Sequence, residues 1–226
     1  MNRSLLSAFT LASLALPTVT LPAVGADLQV KRPVYKAPAV APVTNWSGWY
    51  VGGHVGYLWG ETTVWDDSVL LEKDAKTNGF IGGLLAGYNW QSGAWVFGGE
   101  ADFGWTNAHG TGNQSENGPV NHYKFHWTSH VRGRLGYAFD NVLVFAAGGL
   151  ALTDFDYTQT GLQAFGTVYT GWTIGGGFDV AFARNWIARL EYLHDDFGSK
   201  NYVINSDPYR VKLTGDTVRG ALMYKF

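Results

Sequence analysis

The stretch Trp49–Gly60, WYVGGHVGYLWG, restricts the possible folds more than any other part of the chain. Its odd positions carry Trp49, Val51, Gly53, Val55, Tyr57 and Trp59, and its even positions Tyr50, Gly52, His54, Gly56, Leu58 and Gly60. Side chains alternate across a strand, so these are the two faces of one strand. One face is apolar with aromatics at both ends; the other is small or polar.

The same period runs along the chain. Phe80–Trp90 sets Phe80, Leu84, Ala86, Tyr88 and Trp90 on one face. Ala94–Trp105 sets Trp95, Phe97, Ala101, Phe103 and Trp105 against Glu100 and Asp102. Lys124–Ala138 sets Phe125, Trp127, Val131, Leu135 and Tyr137 against His126, His130, Arg132 and Arg134. Asn141–Thr153 is apolar on both faces, which leaves its phase open. Thr170–Phe182 opposes Trp172, Ile174, Phe178, Val180 and Phe182 to Thr173 and Asp179, and Trp186–Leu193 opposes Trp186, Ala188, Leu190 and Tyr192 to Arg189 and Glu191. Thr217–Phe226 opposes Val218, Leu222, Tyr224 and Phe226 to Arg219, Ala221, Met223 and Lys225. The connections alternate as well: tight polar turns at Gln91–Gly93, Phe139–Asn141 and Ala183–Asn185, and long polar stretches at Glu61–Asn78, Thr106–Tyr123, Asp154–Tyr169 and Asp195–Gly215. Eight strands with short turns at one end and long loops at the other predict an all-β, antiparallel, up-and-down transmembrane barrel.

A soluble barrel would hold its apolar residues inside and turn charge outward. Here charged residues are only 15% of the chain, where about 25% is ordinary for soluble domains. On the strands they cluster opposite the apolar stripes: Glu100, Asp102, Asp179 and Glu191 with Arg132, Arg134, Arg189 and Arg219. The apolar stripe therefore faces lipid, and the ionic set is expected to form a charge network in the lumen. The last strand must then pair with the first, which places Phe226 in an interfacial aromatic belt. Val218, Leu222, Tyr224 and Phe226 also resemble the C-terminal signal read by the outer-membrane insertion machinery.

The first residues read as a secretory signal over 1–26: Arg3, an apolar core Leu5–Leu16, and the small residues Val24-Gly25-Ala26 at the cleavage site. Residues 27–45, with Pro33, Pro38 and Pro42, read as an extended tether, and 46–226 as the barrel. Beyond the signal no apolar run reaches the length of about 18 residues that a membrane helix needs. The chain has no cysteine, which excludes disulfides and thiolate metal sites. A formal charge of -2 gives no reason to expect nucleic acid.

The segments Asn45–Gly60, Gly79–Gln91, Val96–Trp105, Arg132–Asp140, Gly171–Gly198 and Val218–Phe226, in this order, resemble the small alphaproteobacterial outer-membrane β-barrel proteins, the porin-family or opacity-like surface barrels. That resemblance implies an eight-stranded monomer in the outer membrane of a Gram-negative bacterium. Its partners would be outer-membrane lipid and lipopolysaccharide, and the barrel-assembly machinery during insertion. Some members of this family are porins, and others are haem-binding or host-interacting surface proteins, so the resemblance carries no single activity.

Candidate chemistry is sparse. His126 and His130 read as sharing an inward face, but four residues of strand span about 13 Å, too far to share a metal ion. His109, His122 and Tyr123 in a polar loop are of types that ligate haem iron. Ser129 points to lipid and its neighbour His130 to the lumen, which breaks any Ser–His constellation. Glu100 and Asp102 lie about 6.6 Å apart on one face, and Arg132 and Arg134 on the next strand offer them partners. Inward Gly52, Gly56, Gly83, Gly98, Gly175 and Gly177 leave room that allows slow leakage. The expectation is a non-enzymatic barrel without cofactor, structural in the envelope and displaying its loops, its lumen plugged by charge. A narrow porin is the alternative, and a haem-binding or host-interacting role for the loops a further one.

Overall fold

Period-two segments joined by tight turns satisfy their backbone N–H and C=O groups only against neighbouring strands. The computed structural model describes residues 44–66, 69–113, 120–159, 165–204 and 207–226, all within the unit Pro42–Phe226. The expected signal peptide, and all of the expected tether but Thr44 and Asn45, lie outside the described residues. Among these residues there are nine strand segments: β1 Gly48–Asp66, β2 Val69–Ser92, β3 Trp95–Thr106, β4 His109–Asn113, β5 Val120–Phe139, β6 Val142–Gln159, β7 Phe165–Ala181, β8 Trp186–Ile204 and β9 Asp207–Lys225. Every pairing is antiparallel, and β1 pairs with both β2 and β9, closing the sheet. The short β4 continues the line of β3 between β2 and β5, so the barrel has eight staves. At the break both neighbours stay engaged: Asn107 N donates to Phe80 O of β2 and its Oδ1 accepts from Phe80 N, while Phe125 N of β5 donates to Ala108 O.

The three short turns lie where the sequence puts them. Ser92 pairs with Trp95 across Gly93, whose φ of 61° glycine adopts without strain. Phe139 pairs with Val142 across Asp140, at φ 51°, a left-handed conformation that Asp tolerates better than most residues. The third turn closes with Phe182 N donating to Trp186 O.

The barrel is inside out relative to a soluble protein. Val55 is 71% exposed and Leu150 59%, whereas Arg132 is 2% exposed and Arg219 1%. The outward face carries two aromatic girdles. Trp49, Tyr88, Trp90, Trp95, Tyr137, Trp186, Tyr224 and Phe226 ring the turn end, and Tyr57, Trp59, Phe80, Trp105, Trp172 and Tyr192 ring the other. Between them lie Val55, Leu84, Val131, Leu135, Val144, Leu150, Ile174 and Leu190. From Trp49 to Trp59 a tilted strand rises about 25 Å, the height of the apolar band of an outer-membrane barrel.

Three expectations need correction. The long polar stretches are largely strand: β1 runs on to Asp66, β2 begins at Val69, β8 runs on to Ile204 and β9 begins at Asp207. Above the upper girdle the outward residues are polar (Glu61, Lys76, Asn78, Lys124, Lys212), while the inward ones stay buried (Thr62, Val64, Ala75, Thr77, Val211). That wall stands in water outside the membrane, so the apolar contrast that marks a membrane strand is lost there.

The second correction concerns β5. A register shift between Phe125 and Trp127 leaves His126 as an extra residue. Phe125 is therefore buried in the lumen, and His126 turns to the outer surface, where its Nε2 lies 2.8 Å from Asp156 Oδ2. Because Phe125 pairs with Phe155 and Trp127 with Asp154, deleting His126 restores a regular ladder against β6, at the point where β3 gives way to β4 on the other side. The folded yield of that deletion, read as heat-modifiable barrel, is expected to match wild type. Deleting Val131, in the regular ladder, throws Arg132 and Arg134 onto the wrong face and is expected to abolish folding. Loss of folding in the His126 deletion would refute the bulge.

Third, the inward glycines leave little room. A Cβ on Gly56 would lie 2.6 Å from Arg219 Cβ, and one on Gly98 would lie 2.5 Å from Asn89 Oδ1. Strands of a narrow, strongly coiled barrel crowd on the inside, and the missing Cβ atoms are taken up by that approach.

Candidate functional site

The inward positions stack into layers along the bore. Nearest the turns, Trp46, Tyr50, Leu85, Val96, Leu143, Ile187 and Met223 form an apolar floor. Towards the loop end, Leu58, Ala108, Tyr123, Phe125, Ala151, Phe155, Tyr169, Phe197 and Leu213 form a second apolar layer. Its rings are in contact: Phe125 and Phe155 centroids are 5.1 Å apart, and Phe155 and Tyr169 5.7 Å. The fifth stave, β6, takes its phase from these layers, with Leu143, Phe145, Ala147, Ala151 and Phe155 inward and Val144 and Leu150 outward.

Between the apolar layers lie all eight of the lumenal charges named from the sequence, each buried. Arg132 donates to Glu191 Oε1 at 2.8 Å, to Glu100 Oε1 at 2.5 Å and to Asp102 Oδ2 at 3.2 Å. Arg219 joins Glu191 (2.9 Å) to Asp102 (2.9 Å). Arg189 engages Asp179 through Nε (2.7 Å) and Nη2 (3.1 Å), and Glu100 through Nη1 (2.6 Å). Arg134 donates to Asp179 Oδ2 at 2.8 Å, while its approach to Glu100 is only 3.5 Å. Glu100 is thus held chiefly by Arg132 and Arg189 rather than by Arg134. The guanidinium of Arg134 also lies over the Phe145 ring, 4.1 Å from its centroid, a cation–π contact.

Three further residues belong to the network: Tyr50 and His130, which the strand pattern sets inward without assigning them partners, and Asp195, which it does not reach. The Tyr50 hydroxyl donates to Glu100 Oε2 at 2.7 Å and accepts from Arg134 Nη1 at 2.9 Å. His130 sits between Asp102 (2.8 Å, through Nδ1) and Asp195 (3.3 Å, through Nε2). Carboxylates only accept, so His130 can donate to both only as an imidazolium, which matches a fifth acid with a fifth cation. Asp195 falls in a stretch that reads as loop, and its burial follows from the extension of β8. The network crosses the bore from β3 and β5 to β8 and β9, and eight strands enclose an interior that side chains just fill.

Such a network specifies one packing because each of the eight charges has two or more partners. Tyr50→Phe removes a neutral bridge and leaves an oxygen of Glu100 and a donor of Arg134 short of a partner. Loss of about 1.5–3 kcal/mol of unfolding free energy is expected, the range for hydrogen bonds to charged groups. Urea titration of the barrel in lipid vesicles measures it. An unchanged midpoint would mean that the hydroxyl is replaced without cost.

The other candidates are dispersed. Tyr123 is buried inside the bore, whereas His109 and His122 are on the outer surface, so the three do not converge on one iron. Ser129 faces outward and donates to Asp102 O at 2.8 Å, a bond that stitches β5 to β3. Among the described residues no group of three or more His, Cys, Asp or Glu side chains is placed to hold a metal ion. Val218, Leu222 and Tyr224 on β9 and Phe226 just beyond it share one outward face, the last two rings 5.3 Å apart, and Phe226 N donates to Trp49 O across the closing seam.

The sequence signature of the outer membrane protein beta-barrel domain family matches residues 34–226. The 31 kDa outer-membrane immunogenic protein of Brucella melitensis is 34% identical over 238 residues, which cover 96% of this chain and 98% of that protein. The 22 kDa outer membrane protein of Rhizobium leguminosarum is 32% identical over 83% of this chain and 81% of its own. Among solved structures, the outer membrane protein OprG of Pseudomonas aeruginosa superposes with a TM-score of 0.51 over 80% of this chain and 97% of that one. At 10% identity this is a likeness of fold alone.

Proposed function

Because the chain belongs to the outer membrane protein beta-barrel domain family, and so resides in the outer membrane of a Gram-negative bacterium, we propose that it works as a sealed structural barrel that carries its extracellular wall and loops as a surface display. The observation that carries this reading is the closed ionic layer in the bore, Arg132, Arg134, Arg189 and Arg219 against Glu100, Asp102, Asp179 and Glu191, between two apolar layers. A conducting lumen needs continuous water, and here each of these eight charged groups is paired with others of the layer. The immunogenic naming of the Brucella relative agrees with a barrel whose loop side is presented outward. Conductance of the refolded protein in a planar bilayer tests the reading. Steady open steps, or rapid passage of small sugars into liposomes, would replace it with a narrow porin.

Lipid and lipopolysaccharide are the partners that the outward apolar band and its girdles fit, and one barrel closes all its strands without a second copy. The stripe of Val218, Leu222, Tyr224 and Phe226 would serve as the insertion signal. Phe226→Ser is expected to reduce the heat-modifiable barrel recovered from outer membranes several-fold, while refolding of the purified variant in detergent changes little. Equal recovery in membranes would remove the signal from this reading.

A further inference from the structure

Four residues before and at the start of β1 do something that strands do not. Trp46 lies outside any strand, yet it is fully buried at 0% exposure, among Leu143, Ile187 and Met223. Pairing in the sheet begins only at Gly48, opposite Asn89. The residues before it are held by a clasp of side chains. Trp46 N donates to Gln91 Oε1 at 2.8 Å, Gln91 N donates to Ser47 Oγ at 2.9 Å, and Lys225 Nζ donates to Ser47 O at 2.9 Å. Asn45 Oδ1 accepts from Ser47 N at 2.9 Å and shapes the bend. Gly48 stands at φ 130°, a backbone state open to glycine and few others, and a Cβ there would come within 3.2 Å of Phe226 O.

We infer that Asn45–Gly48 is a latch: Trp46 is a stopper that seals the turn-end mouth of the bore, and Gly48 is its hinge. Three features distinguish a stopper from an ordinary core residue. The ring enters the bore from the end rather than from the wall. Its anchors are side-chain bonds that break without disturbing a strand ladder. Its own Nε1 is buried with no partner among the described residues, so the seat is snug for carbon and unmatched for the indole N–H. The floor beneath it is apolar, which suits exclusion of water from the ionic layer above. This inference deepens the sealed-barrel reading, and it assigns the turn-end seal to one residue that the strand pattern does not contain.

The absence of cysteine makes a clean test. Leu143→Cys places a thiol in the floor and Thr173→Cys places one at the loop-side edge of the ionic layer, opposite Asp195; both sites are buried. The full chain, reconstituted in vesicles and shown to be folded by heat-modifiable mobility, is treated with a charged maleimide. Leu143→Cys should be protected when Trp46 is present. It should react at least about tenfold faster with Trp46→Ala, because labelling of a buried group follows the population of open states. Gly48→Ala, which keeps the ring and strains the hinge, should also accelerate labelling. It serves as the second variant should Trp46→Ala fold poorly. Equal rates in all backgrounds, fast or slow, overturn the latch. Thr173→Cys separates the two readings: labelling there in the wild-type background refutes the sealed barrel, whereas protection there with an exposed Leu143→Cys in Trp46→Ala supports both.

Discussion

Arg132→Ala is expected to lower the unfolding free energy of the barrel by roughly 3–5 kcal/mol, the range seen when one partner of a buried ion pair is removed. Its side chain is 0% exposed and touches three carboxylates, more than any other arginine of the network. Removing it leaves Glu191 with Arg219, and Glu100 with Arg189 and the distant Arg134. The carboxylates then face each other across a space too narrow for full hydration. Because the loss is mostly that of an uncompensated charge, Arg132→Ala with Glu191→Ala should cost less than the sum of the single changes by about 1 kcal/mol or more. As a control, Arg132→Ala with Lys225→Ala pairs sites that share no partner and should be additive within about 0.5 kcal/mol. Urea titrations in vesicles, followed by tryptophan fluorescence, measure all of these. A single-variant loss below about 1 kcal/mol, typical of solvated pairs, would mean that water reaches the bore.

The contrast between that arginine and its neighbours shows what the sequence made legible. Inside and outside could be assigned at Val131–Arg132–Gly133–Arg134 because lipid and lumen make opposite demands on successive residues. Wherever both media are present the alternation is strong, and eight staves, three turns and the eight lumenal charges follow from it. Where the outer medium becomes water, as at Lys76 and Lys212, polar residues stand on the outside and threonine or alanine inside, and strand reads as loop. Asp195 was hidden for that reason. The bulge at His126 was hidden for another: one extra residue changes the phase of Phe125 but leaves no mark in composition. The phase of β6 was open because its inward Phe145 and Ala147 are apolar for a reason invisible in one strand, namely that Phe145 lies under the guanidinium groups of Arg134 and Arg189. The strand pattern sets Tyr50 on the inward face without a partner, and Trp46 lies before the alternating stretch. Only the three-dimensional arrangement turns one into a bridge between ions and the other into a stopper.

The layering leads to a second large effect, in the current through the bore. In the proposed sealed barrel three barriers lie in series: the Trp46 floor, the ionic layer and the Phe125–Phe155–Tyr169 layer. In series the largest remaining resistance sets the current, so opening one layer changes little. Replacing Glu100, Asp102, Arg132 and Arg134 together by Ala should leave conductance near the wild-type baseline, provided the barrel still runs as a folded, heat-modifiable species. Adding Trp46→Ala and Phe155→Ala opens the two ends. The current should then rise on the order of tenfold or more, the factor that accompanies a barrier lowered by about 1.4 kcal/mol. The end substitutions without the central four should be nearly silent, because the arginines and carboxylates still fill the middle. If the central four alone open the pore, the apolar layers are permeable and the charges are the only seal. If the end pair alone does so, the ionic layer is already wet, and the low cost expected of Arg132→Ala in a hydrated bore should appear in the same protein.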